Sequence, residues 1–327
     1  MQKTSPFYFN DFPHQICFMK LFASTGLVRT AAAVALFFTI LLPWTAAAQD
    51  QSGSYPAIQA SSYDVANGGT LLLEIENGAQ MPAGADMHIR YNKRSFPVYR
   101  HPTRGDGAYF ALIGIPYQTK PGPQELTLTY SDANGDKSRQ IPFQVVAGKY
   151  KTDILKVDGR RVNPDKKDRQ RASREAQEVK YVYVSGSQKR LWDGEFQLPV
   201  DNEISSRFGN RRVFNGQLKS YHNGLDFRSP KGTPVYATNS GVVRLAKNLF
   251  YSGNAVIIDH GTGIFTIYAH LSKIEVAAGQ RIEKGQLIGL TGATGRVSGP
   301  HLHWGVKIDG IPVNPLGFVE VMNGLVR

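Results

Sequence analysis

The sequence predicts a mainly β protein with three parts: an N-terminal β-sandwich-like domain, a basic linker with a helix, and a compact antiparallel β domain at the C-terminus. Its 327 residues include 33 glycines and 18 prolines. This Gly and Pro content favours many turns but is below that of a low-complexity chain. Short apolar runs recur along the chain with Gly, Pro and Asn-Gly signals between them. The hydrophobic fraction of 41% suits globular units, and the length leaves room for about two domains.

Residues 1–48 have the pattern of a signal peptide. A basic segment precedes an apolar run over residues 31–42, and small residues ending at Ala48 follow. We expect cleavage after Ala48, because about a dozen apolar residues fall short of the ~20 that span a bilayer; an uncleaved anchor is the alternative. Met19 begins a signal of normal length by itself, so residues 1–18 are either an upstream extension or part of a mis-assigned start.

Cleavage of this signal would remove Cys17, the only cysteine. The mature chain would then hold no disulfide, no thiolate zinc site and no cysteine nucleophile, so any metal must be held by histidine and carboxylate. No cysteine follows the apolar run where a lipid-modified amino terminus needs one. We therefore expect an exported protein, periplasmic or extracellular, that is associated with the cell envelope and has no stable membrane anchor.

The chain is basic, with a net charge of +12, of which about +10 remains after loss of the signal. An excess of this size favours a polyanionic partner. For an exported protein this partner would be an anionic cell-wall polymer or a lipid surface and not a nucleic acid. A solvated basic face without a partner is the alternative.

Residues 49–147 are predicted to form the β-sandwich-like domain. Strand-like runs separated by turn signals lie at residues 70–75, 108–115, 125–130 and 141–146. His88 and His101 are isolated in this region, and we expect ordinary surface or packing roles for both.

Residues 148–190 are predicted to form a basic linker. Ten basic and four acidic residues lie between Lys149 and Arg174. Asn163, Pro164 and Asp165 predict the N-cap, the N1 proline and the first-turn acid of a helix that runs to about Val182. The linker is either a solvated connecting helix or an electrostatic tether to wall polymer.

Residues 191–327 are predicted to form the C-terminal domain. Strand-like runs at residues 241–245, 254–259, 264–270 and 286–290 are closely spaced, with glycines between them, which predicts a compact and mostly antiparallel sheet. Five of the eight histidines fall here: His222, His260, His270, His301 and His303.

The spacing of three of these histidines suggests one pocket. In a strand, His301 and His303 point to the same face about 6.6–7 Å apart, so that one imidazole can bind a metal while its neighbour reaches the metal's water. Strand alternation also predicts that Thr266, Tyr268 and His270 share a face at a strand end. Tyr268 is then either a residue that orients His270 or part of the core.

His222 and Asp226 complete the predicted site. Asn223-Gly224 between them argues against a helix and for a turn that enters a strand. Two imidazoles and one carboxylate suit Zn²⁺, and three protein ligands leave the open position that a catalytic zinc requires. The helical His-Glu-x-x-His motif is absent, so a spare histidine is the candidate general base. His260 lies at a predicted turn, where we expect a hydrogen bond to the backbone.

At these residues the sequence resembles the lysostaphin/LytM-type zinc metallopeptidases, over about residues 195–320. The resemblance includes Ser206-Arg207-Phe208-Gly209, the segment from His222 to Phe227, Tyr268-Ala269-His270-Leu271, and the segment from Ser298 to Trp304. It implies that His222, Asp226 and His303 are the zinc ligands, that His270 and His301 are the two catalytic histidines, and that the substrate is a stem or bridge peptide of peptidoglycan. Which of the two histidines is the general base stays open, as does the bond that is cleaved.

Two other functions stay open at this stage. One is a regulator, non-catalytic or autoinhibited, that activates another cell-wall hydrolase as a protein partner. The other is a wall-binding module in which zinc is structural. Four arginines near the predicted ligands either steer anionic stem peptides or lie on a solvated surface: Arg207, Arg211, Arg212 and Arg228.

Overall fold

Strands dominate the structure, a computed structural model that describes residues 56–76, 87–132 and 135–327. The prediction of a mainly β protein is confirmed. The predicted signal peptide, with Cys17 and Ala48, lies outside the described residues. Within the described ranges, no helix is both long and apolar enough to span a membrane.

The described residues of the first β region form nine strands in two sheets. They are β1 (Ala57–Ala60), β2 (Asp64–Ala66), β3 (Thr70–Glu76), β4 (His88–Tyr91), β5 (Arg94–Pro97), β6 (Tyr99–Arg100), β7 (Ala108–Gly114), β8 (Gly122–Asp132) and β9 (Gly135–Val146). The sheets have the orders β1-β3-β7-β6 and β2-β9-β8-β4-β5, and only β2 and β9 pair in parallel. All four predicted runs form strands, whereas the sandwich arrangement stays a prediction.

The linker contains a strand and two helices: β10 (Thr152–Leu155), α1 (Gly159–Val162) and α2 (Lys166–Val184). The predicted start of the helix is wrong by two residues. Asp165 is the N-cap, and its carboxylate accepts a hydrogen bond of 2.8 Å from the backbone N–H of Asp168. Asn163 instead ends α1. An aspartate side chain accepts a hydrogen bond from a free N–H of the first turn as well as an asparagine side chain does. Asp165 can therefore serve as the N-cap in place of the predicted Asn163.

The C-terminal region contains thirteen strands and one helix. They are β11 (Ile204–Ser206), β12 (Arg211–Phe214), β13 (Gln217–Tyr221), β14 (Leu225–Phe227), β15 (Pro234–Tyr236), β16 (Gly241–Leu249), β17 (Gly253–Gly261), β18 (Ile264–Leu271), β19 (Lys273–Ile274), β20 (Arg281–Ile282), β21 (Leu287–Leu290), β22 (Leu302–Ile308), β23 (Ile311–Val313) and α3 (Pro315–Val326).

The main sheet of this region has the order β11-β14-β22-β18-β17-β16-β20, and β23 also pairs with β22. Every pairing in it is antiparallel, as predicted. Two smaller sheets flank it, β15-β21-β19 and β10-β12-β13. In the second of these, β10 from the linker runs parallel to β12, a pairing that the sequence did not predict.

The two β regions share one hydrophobic core. Strands β3 and β7 are buried along nearly their whole length, because α3 packs on β3 while β22 and β23 pack on β7. At the end of β7, a Cβ on Gly114 would lie 3.1 Å from the Ile311 side chain, so the strands approach closely there. The described residues accordingly belong to one structural unit, and the predicted boundaries at residues 147 and 191 stay a prediction.

The end of helix α2 packs on the main sheet, which neither prediction for the linker included. Val182 and Tyr183 are buried in a second cluster with Leu245 and Phe265, and the rings of Tyr183 and Phe265 meet edge to face at 5.2 Å. Glu178 pairs with Lys247 at 3.0 Å on the exposed side. The basic residues at the start of the helix remain exposed.

His260 lies in strand β17 and not at the predicted turn, and it is a fully buried core residue. Its Nδ1 lies 2.7 Å from the Ser240 carbonyl oxygen, as predicted for a backbone hydrogen bond, and its Nε2 lies 2.8 Å from the Thr266 hydroxyl. A carbonyl can only accept, so Nδ1 carries the proton of a neutral ring and Nε2 accepts. Burial lowers the pKa of His260 to about 4.

We expect His260 to make the protein less stable as the pH falls from 6.5 to about 4. Across this interval the imidazole binds a proton in the unfolded chain but stays neutral in the folded protein. The free energy of unfolding therefore falls by up to about 3 kcal/mol in all. Urea unfolding at several pH values would give wild type a steeper loss than His260→Gln, which has no proton to gain. Parallel pH profiles for the two proteins would contradict this assignment.

Candidate metal centre

Two candidate ligands face each other across neighbouring strands. Asp226 of β14 pairs in register with His303 of β22, and His303 Nδ1 lies 2.9 Å from Asp226 Oδ1. Paired residues point to the same face of a sheet, and their neighbours along each strand point to the other. On that other face Phe227 and Trp304 are fully buried in the core.

His222 joins this pair from a turn, as predicted. The chain leaves β13 at Tyr221 and enters β14 at Leu225. His222 Nε2 lies 3.0 Å from both Asp226 Oδ1 and His303 Nδ1. Gly224 permits the close approach, because a Cβ there would lie 2.4 Å from the Trp304 carbonyl oxygen and 2.8 Å from His303 Cε1.

The backbone fixes which nitrogen of His222 is free. Its Nδ1 lies 2.9 Å from the Arg207 carbonyl oxygen, which can only accept, so Nδ1 carries the proton. The lone pair is then on Nε2, the atom that faces Asp226 and His303. The Ser206 hydroxyl also lies 3.0 Å from Nδ1 and contacts Asp153 of β10.

The three atoms His222 Nε2, Asp226 Oδ1 and His303 Nδ1 are placed suitably to bind a zinc ion. Their separations are 2.9–3.0 Å, whereas tetrahedral zinc with bonds of about 2.0–2.1 Å keeps its ligand atoms about 3.3–3.4 Å apart. A shift of a few tenths of an ångström would suffice. All three residues are buried, and two imidazoles with one carboxylate are donors that zinc prefers.

Asp226 is ionised in spite of its burial. Burial alone would raise the pKa of its carboxyl group, but His222, His303 and Arg212 outweigh that effect and hold the pKa well below its usual range. The Arg212 guanidinium donates to Asp226 Oδ2, while Oδ1 faces the two imidazoles. Burial also lowers the pKa of His303 to about 4, which keeps this ring neutral at pH 7.

His270 reaches the same pocket, by a route that corrects the prediction. Asn254 pairs with Leu271 and Val256 with Tyr268, so two residues of β18 oppose one of β17 in a bulge. His270 lies in this bulge with a φ of 64°. Its ring centroid is 4.8 Å from that of His301 and 6.0 Å from that of His303.

The prediction that Tyr268 shares the face of His270 is therefore wrong. The hydroxyl of Tyr268 lies 2.9 Å from that of Thr238 and 3.0 Å from that of Thr266, and its side chain is fully buried. The bulge turns His270 away from the face that simple alternation gives it. Tyr268 is thus a core residue.

His301 completes the group of imidazoles. It lies directly before β22 and forms an isolated bridge with Gly292. Its Nδ1 lies 2.9 Å from the Gly299 carbonyl oxygen, so Nδ1 carries the proton. Its Nε2 is buried, lies 3.8 Å from Asp226 Oδ1, and has no hydrogen-bond partner among the described residues.

Of the four arginines that the sequence placed near the ligands, only Arg212 contacts one with its side chain. Arg228 is exposed and pairs with Glu203 at 3.3 Å, and the side chains of Arg207 and Arg211 are exposed. Arg296 lines the pocket too, although no spacing pattern connects it with the histidines. Asp153 was also missed, since it comes from the predicted linker.

A cavity of about 210 Å³ opens beside the candidate ligands. Arg212 and Arg296 line it together with His222, His270 and His303. A larger cavity of about 420 Å³ shares Tyr221 and His222 with the first as lining residues and reaches Arg94 and Tyr117 of the first β region. These two adjoining cavities form the groove beside the candidate metal centre.

Comparison with known proteins gives matches that include this site. The profile described as Peptidase family M23 matches residues 220–315. Peptidoglycan DD-endopeptidase ShyA of Vibrio cholerae is 50% identical over 123 residues, 37% of this chain and 29% of that protein. DD-carboxypeptidase/endopeptidase Mpg of Neisseria meningitidis serogroup B is 44% identical over 117 residues, 36% of this chain and 27% of that protein. The matched segment thus spans less than a third of these curated relatives.

A solved structure matches over a much larger part of the chain. It is the crystal structure of a Pseudomonas aeruginosa protein assigned to peptidase M23, with 31% sequence identity and a TM-score of 0.58. The alignment covers 76% of this chain and 92% of that one, so it includes most of the residues before the matched profile as well. The chain belongs to peptidase family M23.

Proposed function

We propose that the protein is an exported zinc metalloendopeptidase that hydrolyses peptide crosslinks of peptidoglycan in the cell envelope. The observation that supports this most is the meeting of His222 Nε2, Asp226 Oδ1 and His303 Nδ1 within 3.0 Å of one another, beside a cavity that His222 and His303 line. Three donors leave a coordination position for water or substrate, as a catalytic zinc needs.

His222, Asp226 and His303 would hold the zinc ion. Zinc bound there supplies Lewis acidity to the scissile carbonyl and makes water a nucleophile near neutral pH. Asp226 contributes the one negative charge of the donor set, and Arg212 holds its second oxygen. His222 Nδ1–H donates a hydrogen bond to the Arg207 carbonyl oxygen, which leaves Nε2 free to bind metal.

His270 and His301 are the groups that would move protons. The Thr294 carbonyl oxygen lies 2.8 Å from His270 Nδ1, and the Gly299 carbonyl oxygen lies 2.9 Å from His301 Nδ1, so each ring offers a lone pair at Nε2. Either Nε2 can take a proton from water and return it to the leaving amine. Burial and the neighbouring imidazoles lower the pKa of His270, which suits a base that is neutral before the reaction.

The substrate is inferred from the relatives and from charge. One relative is named a peptidoglycan DD-endopeptidase, and the other is named a DD-carboxypeptidase/endopeptidase. The predicted signal peptide and the net charge of +12 are consistent with an enzyme that acts on an anionic cell wall outside the cytoplasm. The regulator predicted as the alternative would keep the same groove but would not hydrolyse the wall by itself.

We expect the purified, zinc-loaded protein, residues 49–327, to remove crosslinked dimers from isolated peptidoglycan. Mass spectrometry of the released fragments would identify the bond. Asp226→Ala should lose zinc and activity together, because the donor set loses its only charge. Intact dimers after incubation with zinc-loaded wild type would contradict an autonomous endopeptidase and favour the regulator.

We expect the two histidines of the His-x-His pair, His301 and His303, to differ in their effect on zinc binding. His301→Ala should retain about one zinc per chain and lose hydrolysis by at least about 100-fold, as for loss of a general acid–base group. His303→Ala should lose zinc as well. Metal content by mass spectrometry and dimer hydrolysis are the two measurements.

His88→Ala is the matched control for these variants, since His88 lies in β4 and does not line the groove. It should keep both zinc and activity. A His301→Ala protein with wild-type turnover would overturn the assignment of that residue.

A further inference from the structure

Arg296 holds a positive charge in the groove beside the candidate metal centre. It belongs to the loop between β21 and β22, and its backbone N–H donates to the Tyr251 carbonyl oxygen at 2.8 Å. Its guanidinium carbon lies 4.4 Å from the ring centre of Phe214 and 4.5 Å from that of Tyr251. Two aromatic faces therefore hold this half-buried side chain in place, which leaves its N–H groups for another partner.

No carboxylate pairs with Arg296 among the residues that the structure describes, nor does its side chain donate a hydrogen bond there. The second arginine of the same cavity, Arg212, is engaged with Asp226 and, at 3.2 Å, with Ser206. Burial and the charge of Arg212 both lower the pKa of Arg296. The protein thus keeps a cation here without an internal anion to compensate it.

An anion from outside the chain would supply the missing charge. The planar fork of a guanidinium group matches the two oxygens of a carboxylate, and a charge-assisted bond of this kind is strong where water is scarce. A peptide that lies in the groove over His222, His270 and His303 would also pass Arg296, since all four residues line one cavity. Peptidoglycan stem peptides carry free carboxylates.

We propose that Arg296 forms a carboxylate-binding subsite that selects acidic peptides in the groove. The identity of the substrate rests on the function proposed above, whereas the subsite itself can be tested by binding alone. Phe214 and Tyr251 position the guanidinium group, and Arg212 keeps a second positive charge nearby. The subsite makes the protein discriminate between a free carboxylate and its amide.

The test compares two peptides on zinc-loaded residues 49–327: a stem tetrapeptide with free carboxylates and the same peptide with these carboxylates amidated. Calorimetry gives the dissociation constants for wild type, Arg296→Gln and Arg296→Lys. Wild type should bind the free acid about 10- to 100-fold more tightly than the amide, in the range for a charge-assisted hydrogen bond. Arg296→Gln should bind the two peptides about equally, and Arg296→Lys should keep part of the preference.

Arg228→Gln is the matched control, because Arg228 is an exposed arginine that pairs with Glu203 outside the cavity. It should keep the full preference. Zinc content and melting temperature would show that Arg296→Gln remains folded and loaded. An unchanged preference in Arg296→Gln, an equal loss of preference in Arg228→Gln, or no preference in wild type would overturn the subsite. Dimer hydrolysis in the same preparations tests the proposed enzyme function separately.

Discussion

The register between β14 and β22 is the constraint on which the rest of the site depends. It pairs Asp226 with His303 on the groove face and Phe227 with Leu302 on the core face. The buried aromatic rings of Phe227 and Trp304 hold this register, since a slip by one residue would turn them toward the groove and would turn the two polar side chains into the core. The same apolar burial that stabilises the sheet therefore places two of the three candidate ligands opposite each other. His222 then needs only a short turn to join them, and Gly224 gives that turn the room it requires.

The buried carboxylate of Asp226 would destabilise the fold if no positive charge or hydrogen-bond donor lay beside it. A buried carboxylate must be paired, and here two imidazoles and one guanidinium group surround it. The carbonyl oxygen of Arg207 accepts a hydrogen bond from His222 Nδ1–H, and those of Thr294 and Gly299 accept from the Nδ1–H groups of His270 and His301. The backbone thus directs three lone pairs inward at once. Such an arrangement is unfavourable for an empty pocket but favourable for one that binds a metal ion and water.

The sequence predicted the parts of this site that follow from local periodicity, and it missed those set by tertiary contacts. The alternation of His301, Leu302 and His303 was sufficient to place two imidazoles on one face. For His270 the same argument gave the wrong face, because a bulge is a property of two paired strands and leaves no mark in one of them. The sequence did not predict the site at Arg296 for a similar reason, because Phe214 and Tyr251 are far from Arg296 along the chain. In the linker, the helix was predicted almost to its end, but its packing on the sheet depends on residues more than sixty positions away.

The support of His222 extends into residues that the sequence assigned to the linker. Strand β13 ends at Tyr221, directly before this ligand, and pairs with β12, which in turn pairs with β10. Asp153 of β10 contacts the Ser206 hydroxyl, which lies 3.0 Å from His222 Nδ1. Helix α2 covers Phe265 and Leu245 on the outer face of the main sheet. A fragment that began at residue 191 would lose the Asp153 contact and would expose the apolar residues that α2 covers. A change in its activity would therefore have two causes: the loss of Arg94 and Tyr117 from the groove and the weaker support of His222. The smallest unit that keeps the environment of His222 intact therefore begins before β10.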